Sequence, residues 1–255
     1  MILAVDIGNS QILLGCLRDG EIVTTARLAT APGRTEDEYA VAIREILAFG
    51  GVDVRTLEGA ILSSVVWPLN AVMTRAIELL IGRRPLVVGK GLKTGLNIRI
   101  DDPGQMGANL VVAAVAGMSL CPPPIILIDL GTATTMAAVD KDGCFVGGAI
   151  LPGVRLSMEA LSSGTSQLPR VSLDVPKKCI GTNTVSCMQS GAIFGAAAML
   201  DGMIDRMEEE LGQSARVIAS GDLAEKVIPA CRREIRLEPE LSLKGLAVLW
   251  EKNRR

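Results

Sequence analysis

Histidine is absent from this chain of 255 residues. Its absence excludes a Ser-His-Asp or Cys-His engine and any histidine-ligated metal. Acid–base chemistry must fall to carboxylates, Lys, Tyr39 or Cys, and any cation should be a hard one held by oxygen. Phe, Tyr and Trp together make up only 2% of a chain that is 49% hydrophobic. The core must therefore be aliphatic, and so apolar a chain is expected to bury a subunit interface as well. The six cysteines form no C-x-x-C pair and read as reduced, mostly buried small hydrophobes. Net charge is −2 with acidic and basic residues interspersed, so no nucleic-acid partner is expected. Met1-Ile-Leu-Ala-Val meets Asp6 at once without a basic segment, unlike a signal peptide. The apolar stretch 110–117 is too short to span a bilayer, and 192–200 reads as a small-residue helix face. No membrane partner and a cytoplasmic location are expected.

What the chain does have is a repeated acidic glycine turn. Asp6-Ile-Gly-Asn-Ser follows the apolar run Ile2-Leu-Ala-Val, and Asp129-Leu-Gly-Thr-Ala-Thr follows Ile125-Ile-Leu-Ile. Each aspartate is followed thirteen residues later by an Asp-Gly pair, Asp19-Gly20 and Asp142-Gly143. The chain thus repeats strand, Asp-x-Gly turn, strand, Asp-Gly hairpin and strand. The glycine lets phosphate oxygens approach the backbone, and Asn9, Ser10, Thr132 and Thr134 add short polar groups. A carboxylate at the strand end can hold the cation that accompanies phosphate. A single D-x-G is an ordinary strand–turn junction; two in the same context point to phosphate-gripping turns facing each other across a cleft. That is the signature of a nucleotide phosphotransferase.

Further along, Thr35 caps a helix with an acidic first turn that runs to about Phe49. Gly59-Ala-Ile-Leu-Ser-Ser-Val-Val is a buried strand, Trp67-Pro68 starts a helix to about Ile81, and 86–88 is a short strand. Residues 107–119 form a small-residue helix. The second half is expected to repeat three strands through Ile150, turn at Pro152-Gly153 and form a short helix at 155–163. A long helix follows at 184–211, where Gly191 and Gly195 should let another backbone approach. A strand at 216–219, the turn Ser220-Gly221-Asp222 and a helix at 241–252 complete the chain. Strand pairs followed by helix–strand units make an α/β protein. The repeat divides it into 1–117 and 118–255.

The ordered set Asp6-x-Gly-Asn-Ser, Ser63-Ser64-Val65 with Pro68, Asp129-x-Gly-Thr-Ala-Thr-Thr, Gly147-Gly-Ala-Ile-x-Pro-Gly153, Leu168-Pro-Arg-Val and Gly181-x-Asn-Thr184 resembles the type III pantothenate kinase family. The resemblance implies an actin-like/sugar-kinase-like fold of two duplicated ribonuclease-H-like domains, working as a homodimer. It implies ATP-dependent phosphorylation of pantothenate, the first step of coenzyme A synthesis, with Mg2+ and a monovalent cation, K+ or NH4+. Residue by residue, Asp6, Ile7, Gly8, Asn9, Ser10, Gln11, Ile12 and Leu13 match the first phosphate motif, with Asp6 near the magnesium–phosphate group. Asp129 matches the monovalent-cation position, Thr132 a nucleotide contact, and Thr184 a hydroxyl at the acceptor site.

The acceptor side departs from that pattern. The family's Gly-Ala-Asp-Arg reads Gly107-Ala108-Asn109-Leu110 here, replacing the family's general base and an acceptor-binding cation. An expected acceptor-site tyrosine is Ile100, and the adenosine-side Thr-Gly-Gly is Ser220-Gly221-Asp222. An amide such as Asn109 accepts no proton at neutral pH. Asp101 or Asp102 could take the role instead. Two other readings stay open on these residues: a non-catalytic nucleotide-binding regulator, or a kinase for a different hydroxyl acceptor.

Overall fold

The computed structural model describes residues 1–254. Its strands are β1 (Ile2–Ile7), β2 (Gln11–Arg18), β3 (Glu21–Ala29), β4 (Gly59–Ser64), β5 (Leu86–Val87), β6 (Asn97–Ile98), β7 (Ile125–Leu130), β8 (Ala133–Val139), β9 (Cys144–Pro152), β10 (Arg216–Ser220) and β11 (Arg236–Leu237). Its α-helices are α1 (Glu36–Phe49), α2 (Trp67–Ile81), α3 (Ala108–Leu120), α4 (Val154–Gly164), α5 (Thr184–Ser190), α6 (Ala196–Leu211), α7 (Ala224–Val227) and α8 (Leu241–Asn253).

The first sheet has the order β3-β2-β1-β4-β5, with β1 antiparallel to β2 and parallel to β4. The second has the order β11-β10-β7-β8-β9-β6, with β7 antiparallel to β8 and parallel to β10. Apart from the added β6, the second sheet copies the first strand for strand. The copy extends to a register shift: the pairing slips between Cys16 and Leu17 in one sheet and between Ala138 and Val139 in the other. Bulges of this kind add local twist.

Two compact units result. One comprises Met1–Leu96, Asp102–Ser119 and the chain from Glu240 onward; the other comprises Asn97–Asp101 and Leu120–Pro239. The two-way split expected at 117 lies close to the crossing after Ser119, but it assigns the last helix differently. In the structure α8 belongs to the first unit, because its leucines pack on that sheet. Leu243, Leu246 and Leu249 join Ile2, Ala4, Leu17, Ile61, Val112 and Val115 in one buried cluster. Glycines make the close approach possible: a Cβ on Gly15 would sit 2.6 Å from Leu243 Cδ1, and one on Gly59 would strike the Trp250 ring. The opposite face of the sheet is covered by α1 and α2 through Tyr39, Ile43, Leu47, Leu69, Met73 and Ile77. In α1 a reciprocal cap, Thr35 with Glu38, starts the helix, and its buried residues recur at helical spacing.

In the second unit, Ile126, Ile128, Met136, Ile193, Leu200, Ile204 and Val217 form the core. The long helix expected over 184–211 is present, but Gly191–Gly195 form a π-helical segment between α5 and α6. A Cβ on either glycine would meet nothing within 4 Å, so within this chain they do not mark a close approach. By length and composition Thr184–Leu211 is the one helix among the described residues that could cross a membrane. It places Met188, Ile193, Ala197, Leu200 and Ile204 on the buried side.

Candidate active site

In the first unit, β1 delivers Asp6 to the end of the sheet and the chain reverses over Gly8, Asn9 and Ser10. The Gly8 N–H donates to Gln11 O at 2.9 Å, so this amide is committed to the turn itself. Asn9, Ser10 and Gln11 are exposed and present the polar groups of the tip. Thr30, just past β3, braces the turn twice: its Oγ1 donates to Gly8 O at 2.7 Å and its N–H to Ser10 O at 3.1 Å. Tyr39 secures the next residue, accepting from Ala31 N and donating to Ala31 O, both at 3.0 Å. Of the expected motif residues, Ile7 and Ile12 are fully buried in the core. Only their backbone can serve a ligand. Leu13 is half-buried.

Asp6 keeps some exposed surface, yet its carboxyl lies deep enough that loss of hydration raises its pKa above the ordinary carboxylate value. Hydroxyls of Ser242 and Ser63 pull in the opposite direction. Ser63 is fully buried beside it, and its Oγ completes no hydrogen bond of ordinary geometry.

The second unit repeats the arrangement with different packing. Asp129 is the penultimate residue of β7, and Ser220, its register partner on β10, has its Oγ 3.4 Å from Asp129 Oδ1. The Gly131-Thr132 turn is closed over by two more glycines. A Cβ on Gly153 would collide with Thr132 O, and one on Gly221, whose φ is 100°, would lie 2.6 Å from the Leu130 backbone. Asp222 follows and pairs with Arg155 on α4 at 3.7 Å. Thr132 is exposed, whereas Thr134 is fully buried with an unpaired hydroxyl. Thr134 therefore does not present the donor expected of it. The sequence reading also missed Ser220 as a neighbour of Asp129 and Arg155 as a neighbour of Asp222. Only the register across β7 and β10 and the path of the chain into α4 bring those pairs together.

The residues expected on the acceptor side fall in both units. Gly107, Ala108, Asn109 and Leu110 open α3 in the first, all half-buried. The Asn109 side chain curls back over Gly107, where a Cβ would sit 2.6 Å from its Oδ1. Ile100 belongs to the second unit through β6, which pairs with β9 at Cys144 and Phe145. Thr184 is exposed at the start of α5, which Asn183 and Ser186 cap reciprocally. Both Asp102 oxygens are occupied: Oδ1 accepts from Gly104 N and Oδ2 from Gln105 Nε2, each at 2.9 Å. That carboxylate shapes a turn and is poorly placed to act as a base.

Among the described residues no three of His, Cys, Asp and Glu cluster as a metal site. Asp6 and Asp129 are single carboxylates beside hydroxyls, a donor set that suits a hard cation arriving with phosphate better than a resident metal.

The sequence profile of type III pantothenate kinases matches residues 2–206. The type III pantothenate kinase of Moorella thermoacetica is 40% identical over 253 residues, which cover 99% of this chain and 100% of that protein. Among solved structures, the activator of 2-hydroxyisocaproyl-CoA dehydratase from Clostridium difficile, with bound ADPNP, superposes with a TM-score of 0.54. It has 12% identity, over 97% of this chain and 92% of that one. The ROK hexokinase from Thermus thermophilus gives 0.52 at 14% identity, over 97% of both. At such identities these two structures speak to the fold alone, the actin-like, sugar-kinase-like α/β fold of two ribonuclease-H-like units already traced strand by strand. Profile, near full-length identity and duplicated Asp-x-Gly turns agree, and the chain belongs to the type III pantothenate kinase family.

Proposed function

We propose that this chain transfers the γ-phosphoryl group of ATP to the primary hydroxyl of pantothenate, giving 4'-phosphopantothenate and ADP in the first step of coenzyme A synthesis. The observation that carries the reading is the duplicated strand-end aspartate and glycine turn, Asp6 and Asp129 at the same place in two copied sheets. In this reading the hydroxyl oxygen attacks the γ-phosphorus, the bond to the β–γ bridging oxygen breaks with ADP leaving, and the hydroxyl proton passes to a transferred phosphoryl oxygen or to water.

The turn from Asp6 through Leu13 serves the phosphates, its side-chain donors at Asn9, Ser10 and Gln11 and its two isoleucines through their backbone. Thr132 serves the nucleotide. Magnesium bound with ATP would supply charge neutralisation on the phosphates, with Asp6 as the residue nearest that role. Asp129 would hold K+ or NH4+. Ile100, Gly107, Ala108, Asn109, Leu110 and Thr184 form the acceptor side. Asn109 can orient the hydroxyl without taking its proton. That is tolerable where the transition state is loose, because little proton transfer is needed before the new P–O bond forms. A homodimer in the cytoplasm completes the proposal; the exposed Ile150, Leu156, Val175 and Ile180 of the second unit support the dimer.

The test is a coupled ADP-release assay with pure protein, ATP, Mg2+ and pantothenate. Pantothenate-dependent turnover is expected, and its absence at high enzyme concentration in a protein that binds ATP would remove the assignment. Nucleotide affinity should be higher in K+ than in Na+. Asp129→Asn should flatten that difference, and a mutant that still discriminates the two ions would reassign the cation.

A further inference from the structure

In both units the aspartate near the end of the first strand has a serine as its register partner on the neighbouring parallel strand, Asp6 with Ser63 and Asp129 with Ser220. The turn motifs alone do not require this. Ser63 is fully buried, and its hydroxyl has no partner apart from its position beside the Asp6 carboxylate. A buried hydroxyl in that state is unfavourable next to an alanine of nearly the same volume. Yet the chain places a serine at the same register in each copy of the sheet, buried in the first and half-buried in the second. In the first unit a second hydroxyl joins it, Ser242, which the first turn of α8 carries to Asp6.

Hydroxyls are a particular choice of partner. A lysine or arginine would hold the carboxylate but neutralise it and compete with a cation. A hydroxyl orients a carboxylate oxygen and leaves its charge available. Magnesium demands near-octahedral geometry and keeps several waters, so it rewards a carboxylate fixed in advance.

We propose that Ser63 and Ser242 are positioning residues that hold the Asp6 carboxylate for the magnesium ion accompanying ATP, and that Ser220 holds the Asp129 carboxylate for its monovalent cation. The proposal rests on the reading that Asp6 serves magnesium and nucleotide. It makes the C-terminal helix part of the phosphate site, although that helix bears no recognisable phosphate motif.

Full-length Ser63→Ala, Ser242→Ala, Ser242→Thr and Asp6→Asn would be compared with the parent. Free Mn2+ would be titrated by electron paramagnetic resonance in the presence of a non-hydrolysable ATP analogue, and thermal midpoints recorded. Each alanine variant should weaken Mn2+–nucleotide binding on the order of tenfold, the scale of a hydrogen bond to a charged group. Ser242→Thr should restore it. Ser63→Ala should leave the thermal midpoint close to the parent's, because it removes no bond other than the loose one to Asp6, which Ser242 still holds; a purely structural serine would lower it. In steady state the loss should appear as a higher Mg2+ requirement at an unchanged KM for pantothenate. Should Ser63→Ala prove less stable than the parent, its part of the proposal fails and the Ser242 pair decides the rest. If Asp6→Asn loses metal-dependent binding while both alanine variants bind like the parent, the positioning role is refuted and the phosphate reading stands. If Asp6→Asn binds like the parent, that reading falls and takes this proposal with it.

Discussion

Replacing Tyr39 by Phe tests how the first phosphate turn is held. Tyr39 is the only tyrosine in the chain and is fully buried. Its hydroxyl exchanges two hydrogen bonds with the backbone of Ala31, the residue after the threonine that braces Gly8 and Ser10. Phe keeps the ring and leaves no cavity, so the change isolates the hydroxyl. Each bond contributes about 0.5–1.5 kcal/mol, and the loss strands both an N–H and a C=O, so destabilisation should reach about 1–3 kcal/mol. For a chain of this size that lowers the thermal midpoint by about 2–12 °C. Because Thr30 would lose its neighbour's anchor, the KM for ATP should rise severalfold with kcat for pantothenate phosphorylation nearly retained. Thr30→Val should raise the KM for ATP in the same way while leaving the Tyr39 bonds intact. Scanning calorimetry and ATP titration check both. A Tyr39→Phe protein with the parent's midpoint and ATP affinity would refute the strut.

Gly221→Ala should be far more damaging than most glycine substitutions. Its φ of 100° disfavours a side chain, and the added Cβ would lie 2.6 Å from the backbone of the Asp129 turn; soluble expression and nucleotide binding should both fall. Asn109→Asp with Leu110→Arg should raise pantothenate turnover at least about tenfold, since general-base assistance is worth on the order of 10²–10⁴. A folded, ATP-binding double mutant without that gain would locate the limitation elsewhere, at Ile100 or Asp222 first. At pH 7.5 a thiol reagent should label the exposed Cys179 and Cys187 quickly. Cys16 and Cys231 should resist it, because burial pushes their thiols up to about 11 and about 12 and they remain protonated. Rapid labelling of Cys16 or Cys231 in the folded protein would contradict this packing.

The elements most legible in the sequence were those whose signals are local. Thr35 and Glu38 announce α1 three residues apart, Trp67-Pro68 opens α2, and Asp19-Gly20 closes the first hairpin, with both residues at positive φ. The equal spacing of the two Asp-x-Gly turns exposed the duplication. The structure extends it to the bulges at Cys16 and Ala138. What escaped depends on pairing across long stretches of chain. The two-residue strands β6 and β11 have no periodicity to read, and each exists only because a neighbouring strand offers a free edge. The apolar face of α8 says that it is buried but not against which sheet; Gly15 and Gly59, far upstream, decide that. Thr134 looked like one more donor in its motif, and strand alternation turned it inward. Ser63 and Ser220 became visible beside their aspartates only once the parallel registers were known.

The placement of α8 has a consequence for the order in which this molecule is made. Residues 120–239 supply nearly all of the second unit, so its core can close soon after β11 leaves the ribosome. The first unit, although its strands are synthesised earlier, lacks α8 until residues 241–253 have been made. Until then Ala4, Ile61 and Val112 have no leucines from that helix to cover them. Vectorial synthesis normally favours the N-terminal domain; here the N-terminal sheet waits, with an apolar face open to chaperones or to aggregation. Ser242 arrives on the same helix, so the Asp6 site is completed only when α8 has docked beside β1.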